Sequence, residues 1–127
     1  MECCQTNKLK EDSRGYINIE EKISNIRKRP KMFVYEIRLD YIYYLIAGSL
    51  GSNMGSPDVQ DIDIAFKHDF NQWVEEWIYE QKEIDFRRKV VVWYKIISSC
   101  TNGDDEAVNL FYQICDEFFE AYHKKNG

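Results

Sequence analysis

Near its start, the chain carries the hydrophobic pattern of an amphipathic helix. Three isoleucines recur at intervals that place them on one helix face: Ile19, Ile23 and Ile26. Asn18 stands before them and Glu21 follows three residues later, which is the spacing of a capping box. Pro30 cannot continue a helix, because its ring removes a backbone donor. The pattern therefore predicts a helix that begins at Asn18 and ends before Pro30.

The next pattern is apolar almost all round and covers residues 37–50. A helix without a polar face is expected to lie inside a protein. We therefore predict a central, largely buried helix over Ile37–Leu50. Glycines and a proline follow in the segment Gly48–Pro57, which predicts a flexible loop.

Residues 62–82 give the clearest helical pattern, with one aromatic stripe formed by Phe66, Phe70, Trp73 and Trp77. The stripe predicts that Trp73 and Trp77 are buried. On the same helical wheel, four carboxylates share one edge beside the stripe: Asp69, Glu76, Glu80 and Glu83. We interpret them either as a partner-binding surface or as an ordinary solvated helix edge.

Residues 86–99 fit a helix, although the β-branched run Val90–Val92 also suits a short strand. We favour helix, because no second strand is evident to pair with it. A last helix is predicted from Asp104 or Asp105 to about Tyr122. Its outward positions supply a second candidate for a partner-binding surface, made of Glu106, Asp116, Glu117 and Glu120.

Together these patterns predict one all-α domain, a bundle of four to five helices over residues 17–123, behind a flexible tail of residues 1–16. The chain has 127 residues, of which 44% are hydrophobic and 15% aromatic, enough to build one core and to exclude a disordered body. No apolar run approaches the roughly 20 residues that span a bilayer. The first 15 residues also lack the apolar stretch of an export signal. We expect a cytoplasmic protein.

The charge is divided unevenly along the chain. Residues 1–50 contain nine basic and seven acidic side chains, a net charge of +2, whereas residues 51–127 contain eight and fifteen, a net charge of −7. A nucleic-acid-binding domain needs a basic face, so this balance argues against one. It favours a basic protein as the partner.

The residue types that carry chemistry are sparse and scattered. His68 and His123 stand far apart in the sequence, and the four cysteines lack the spacing of a zinc site. We interpret Cys115 as a buried apolar side chain. No nucleophile, phosphate-binding or metalloprotease motif is present. We therefore expect no catalytic activity, no cofactor and no metal, and we expect function through binding.

In the order of its elements the chain resembles a group of small bacterial proteins. The shared features are a short helix, an Arg-Pro-x-Met-aromatic motif at Arg29–Phe33, a long apolar helix, an aromatic helix like Phe66–Trp77, a Trp-x-x-Ile element like Trp93–Ile97, and an acidic helix like Asp104–Phe119. The resemblance covers residues 18–122. Proteins of this group are suspected immunity proteins of toxin-delivery systems, such as contact-dependent growth inhibition.

The resemblance implies an inhibitor that binds and neutralises one toxin domain, for which we expect a basic nuclease. Two alternatives from other classes stay open: an adaptor or structural subunit of an unrelated complex, and a small enzyme with carboxylates on separate helices. The sequence does not identify the toxin, its binding surface or the oligomeric state.

Overall fold

The computed structural model describes residues 15–126, which contain helices and no strand. The elements are α1 (Ile19–Lys28), a 3-10 helix (Pro30–Met32), α2 (Leu39–Met54), α3 (Asp61–Lys82), α4 (Trp93–Ser99) and α5 (Asp104–Asn126). The prediction of an all-α domain with four to five helices is confirmed. Most of the predicted N-terminal tail, residues 1–14, lies outside the described residues.

The start of α1 follows the sequence pattern closely. The Asn18 side chain accepts a hydrogen bond from the Glu21 backbone N–H, and the Glu21 carboxylate accepts one from the Asn18 backbone, so the capping box is present. The three isoleucines of the predicted face are buried. The helix ends at Lys28, two residues before Pro30.

Helix α2 differs from the prediction in its bounds and in its burial. It begins at Leu39, continues through Gly48 and Gly51 to Met54, and leaves only residues 55–60 as a loop. It is not buried all round, because only one face points into the core and Tyr44 on the opposite face is 63% exposed. The two glycines are tolerated because the buried face holds the helix in place through Ile46 and Leu50.

Helix α3 is the centre of the bundle and packs against all four other helices. Its fully buried positions advance by four residues, through Phe66, Phe70, Val74 and Ile78. The prediction that Trp73 and Trp77 are buried was wrong, since both are only half-buried. Neighbouring residues on a helix point about 100° apart, so burial of Val74 turns Trp73 to the side of α3.

The prediction of a helix over residues 86–99 was right only for its second half. Helix α3 ends at Lys82. Glu83 caps it with a left-handed backbone (φ 59°), and residues 83–92 form an irregular connection. Val90 lies within it at φ 47° and is 97% exposed. Helix α4 begins where Asn71 reaches across from α3, accepting a hydrogen bond from the Trp93 backbone N–H (2.7 Å) and donating one to the Val91 carbonyl (3.1 Å).

Helix α5 is one turn longer than predicted and ends at Asn126. The helical pattern predicts seven inward positions: Ala107, Leu110, Phe111, Ile114, Cys115, Phe118 and Tyr122. Five of them are buried, but Leu110 and Tyr122 are only partly buried. Three further side chains join the core instead: Val108, Tyr112 and Phe119. The buried face of α5 is therefore wider than one stripe, because the helix packs against several others.

The only buried charged side chain among residues 15–126 is Asp63, which joins three parts of the fold. Its Oδ1 accepts hydrogen bonds from the Ile19 backbone N–H (2.7 Å) and the Asn53 side chain (3.3 Å). Its Oδ2 accepts from the Tyr16 hydroxyl and from the Gln60 backbone N–H (3.3 Å). Asp63 thus connects the start of α1 with the end of α2 and the start of α3, which is a structural role.

Replacing Tyr16 by Phe should change how stability depends on alkaline pH. Burial, and then the hydrogen bond to Asp63, raise the pKa of Tyr16 from 10.0 to about 12. Because the folded-state pKa is the higher one, this contribution is complete below pH 10 and is lost as the pH rises through about 12. Urea denaturation of both proteins at a series of pH values from 8 upward measures the difference in unfolding free energy. That difference should be constant below pH 10 and shrink above it. A difference that stays constant at every pH would show that ionisation of Tyr16 is not linked to folding.

Candidate partner-binding surface

Three of the four carboxylates predicted on one edge of α3 lie within that helix: Asp69, Glu76 and Glu80. The fourth, Glu83, is the left-handed residue that follows the helix, so the prediction that it belongs to the helix edge was wrong. We call these four carboxylates the acidic ridge. Steps of seven and four residues keep Asp69, Glu76 and Glu80 on the same side of the helix. Each of the four side chains is exposed. The ridge therefore runs from the middle of α3 to its C-terminal end and is accessible to a partner.

A groove of about 480 Å³ lies beside the ridge, between α3 and α5. The N-terminal half of α3 faces the C-terminal end of α5 there. Apolar and aromatic side chains form most of the lining, and Asp61 and Asp69 contribute carboxylates while Lys125 contributes a cation. The other lining residues are Ile64, Ala65, Trp73, Phe118, Ala121, Tyr122 and Asn126.

The two half-buried tryptophans of α3 lie on the side of the helix next to the ridge, and Trp73 also lines the groove. The Trp73 ring meets Phe118 edge-on, with 5.6 Å between ring centroids. Its Nε1 is buried and has no hydrogen-bond partner among residues 15–126. Trp77 instead donates from Nε1 to the Glu117 carboxylate (3.0 Å). This hydrogen bond holds Glu117 of α5 beside the acidic ridge.

The four acidic residues predicted as a binding surface on α5 have different surroundings in the structure. Asp116 pairs with Arg27 of α1 at 2.9 Å, and Glu120 lies in a separate groove between α1 and α5. Glu106 accepts a hydrogen bond from the Asn102 backbone N–H (2.7 Å). Glu117 is thus the α5 carboxylate that joins the α3 ridge. Adjacent residues on a helix diverge by about 100°, which separates Asp116 from Glu117.

Sequence reasoning identified the ridge but missed the groove. The groove depends on which edge of α3 lies against α5, and the hydrophobic pattern of one helix does not contain that information. The available signal was the pair Trp73 and Trp77, since tryptophans beside the buried line of a helix are typical of an interface.

Groups with reactive potential are dispersed. No three His, Cys, Asp or Glu side chains within residues 15–126 come together as a metal site. Cys115 is buried, and burial raises the pKa of its thiol well above the ordinary value, so the nucleophilic thiolate is disfavoured. His68 is exposed, and His123 is exposed beside Glu20 at 2.8 Å. None of the described helices combines the length and apolar character that crossing a membrane requires.

The fold and this surface define the class of protein as a small all-α domain that carries an apolar, acid-rimmed groove. Comparison with known proteins adds nothing more specific, because no protein-family model, curated protein or solved structure matches the chain. We therefore infer a function from the chemistry of the surface.

Proposed function

We propose that this chain is an immunity protein, which binds a cognate bacterial toxin domain through the α3–α5 face and blocks its activity. The partner is a protein with a basic cleft, most simply a nuclease. The observation that carries the proposal is the combination of two half-buried tryptophans, an apolar groove and a continuous row of exposed carboxylates on one side of the bundle.

The aromatic groove supplies the features that give protein interfaces their affinity. Tryptophan and tyrosine dominate interface hot spots, since they bury a large area with few rotatable bonds. Trp73 also carries a buried N–H that lacks a hydrogen-bond partner within residues 15–126. A carbonyl or carboxylate of a bound partner would satisfy this N–H after a small movement of the ring, and an unsatisfied buried donor costs about 1–3 kcal/mol.

The acidic ridge supplies complementarity to a nuclease. An enzyme that acts on nucleic acid needs Lys and Arg side chains to bind phosphates. Carboxylates arranged along a rigid helix can occupy those positions, exclude the nucleic acid and accelerate association. The net charge of −5 also attracts a basic partner, and it does so over longer distances than contacts at the ridge.

The test is co-expression with the product of the gene directly upstream, where a toxin gene is expected. The two proteins should purify together, and the chain should abolish the toxin's nuclease activity at an equimolar ratio. A toxin domain from an unrelated locus should stay active in the same assay. If the chain neither binds nor inhibits any neighbouring toxin, an immunity function is contradicted.

A matched pair of variants examines the groove itself. Ile64 lies in the groove and is 39% exposed, whereas Ile17 lies outside it and is 38% exposed. Ile64→Lys places a long cation in the groove and should weaken toxin binding by at least about tenfold, while Ile17→Lys should leave it unchanged. Calorimetry measures both affinities. Equal affinities for the two variants would remove the groove from the interface.

A further inference from the structure

The outward face of α2 combines two large side chains with two glycines in a regular order. Tyr41 and Tyr44 lie near the start of the helix, and Gly48 and Gly51 follow on the same side. The steps between them are three, four and three residues, which is the spacing of the contact line between two packed helices. All four residues are exposed, Tyr41 at 37% and Tyr44 at 63%.

Nothing within the described residues requires a glycine at position 48 or 51. A Cβ added at either position would meet no atom within 4 Å. Glycine in a helix interior costs about 1 kcal/mol relative to alanine. Two such glycines on one open face are therefore explained best by a group outside this fold that approaches the α2 backbone closely.

The two tyrosine rings are held in place as rigid projections. The Arg38 guanidinium lies 4.3 Å from the centre of the Tyr41 ring. Tyr44 packs against Tyr43 at 5.1 Å and against Tyr94 at 6.1 Å between ring centroids. Rings that are already ordered lose little conformational entropy when a partner covers them.

Helix α2 itself also contributes little charge to this face. Asp40 is the one charged residue among the sixteen of α2, and Arg38 neutralises it through hydrogen bonds of 2.7 and 3.1 Å. The acidic ridge of α3 would repel another acidic surface, whereas the α2 face would not. Two copies of this chain can therefore meet at α2 without opposing like charges.

We propose that the α2 face binds a second copy of this chain, with the two α2 helices antiparallel around a twofold axis. In the register that places Tyr44 of one copy opposite Gly48 of the other, Tyr41 faces Gly51, and the two helices overlap along nearly their full length. Each ring then fills the space that a missing side chain leaves. A twofold axis creates every such contact twice.

The order of the residues favours a second copy over an unrelated protein. Large side chains occupy one half of the contact line and glycines occupy the other half, so reversing the helix direction makes the face complementary to itself. An unrelated partner would have to supply its own matching surface. The contact line from Tyr41 to Gly51 is about 15 Å long at 1.5 Å per residue, so we expect a weak dimer with a small interface.

The test measures the mass of the full chain in solution by sedimentation equilibrium from about 1 to 500 µM, a range centred on weak affinities. The mass should rise with concentration from 15.2 kDa towards twice that value. The variants Gly48→Tyr and Tyr44→Gly should each raise the dimer dissociation constant at least about tenfold, since each removes the match between ring and gap. The control Gln72→Tyr adds the same ring on the exposed side of α3 and should have no effect.

The double variant Tyr44→Gly/Gly48→Tyr decides the register. In this variant the tyrosine is at position 48 and the glycine is at position 44. The tyrosine at position 48 of one copy then faces the glycine at position 44 of the other, so the dimer should form again. Thermal melts followed by circular dichroism verify that every variant is folded. A constant mass of 15.2 kDa, a dimer that Gly48→Tyr leaves intact, or a double variant that stays monomeric would each overturn the proposal. A monomeric chain whose toxin binding is weakened by Gly48→Tyr would overturn it too, and would assign the α2 face to the toxin.

Discussion

Replacing Phe70 by Ala should lower the free energy of unfolding by about 3–5 kcal/mol, which is the usual loss when a buried aromatic ring is removed. Phe70 is 1% exposed and stacks on Phe66 with ring centroids 4.3 Å apart. It also meets Trp93 of α4 and two rings of α5, Phe111 and Phe118, edge-on. One ring therefore joins three helices, and the remaining cavity cannot close without moving all of them.

Urea denaturation followed by tryptophan fluorescence measures this loss. Phe86→Ala is the matched control, because Phe86 is also packed against the core but lies half-buried in the connection after α3. Its loss should be smaller, since part of the Phe86 ring stays exposed to water whereas Phe70 is fully buried. Phe70→Leu should lose less than Phe70→Ala, because it fills part of the cavity. Equal losses for Phe70→Ala and Phe86→Ala would show that the aromatic cluster does not dominate the core.

Reversing two charges of the acidic ridge, Glu76→Lys and Glu80→Lys, should slow association with a basic toxin about tenfold or more at low salt. Electrostatic steering raises association rates by about 10–1,000-fold, and this variant inverts the field at the proposed docking face. The fold should be retained, since exposed substitutions usually change stability by less than about 0.5 kcal/mol. At high salt the difference from wild type should shrink, because ions screen exposed charges.

Stopped-flow or surface-based kinetics at two salt concentrations separate association from dissociation. The control is Glu36→Lys with Asp58→Lys, which changes the net charge by the same amount at exposed positions outside α3 and α5. If the control slows association equally, net charge and not the ridge is responsible. If the ridge variant changes neither rate, the α3 edge does not take part in binding.

Features that depend only on residues close together in one helix could be predicted from this sequence. The capping box of Asn18 and Glu21 is satisfied by residues three positions apart, so it could be predicted without any tertiary information. The shared edge of Asp69, Glu76 and Glu80 follows from helical spacing alone, and all three side chains are exposed as that spacing implied. Both features depend on the geometry of a single helix.

The errors arose where one helix meets another. Gly48 and Gly51 indicated a loop, yet α2 continues through them because Ile46 and Leu50 on its other face are held in the core. Residues 86–92 had apolar spacing suited to a helix. The side chain of Asn71, some twenty positions earlier, binds the backbone at Val91 and Trp93 and sets the start of α4.

From the sequence one can predict that the chain is helical, where α1 and α3 lie, and that Asp69, Glu76 and Glu80 share one edge of α3, because these properties follow from propensity, capping and a period of 3.6 residues. The packed fold was needed to show that Trp73 and Trp77 are only half-buried and that Asp63 is a buried junction. It also shows that Glu117 binds Trp77 while Asp116 pairs with Arg27. Those outcomes depend on the rotation and crossing of helices, which are fixed by the simultaneous packing of side chains distant in sequence.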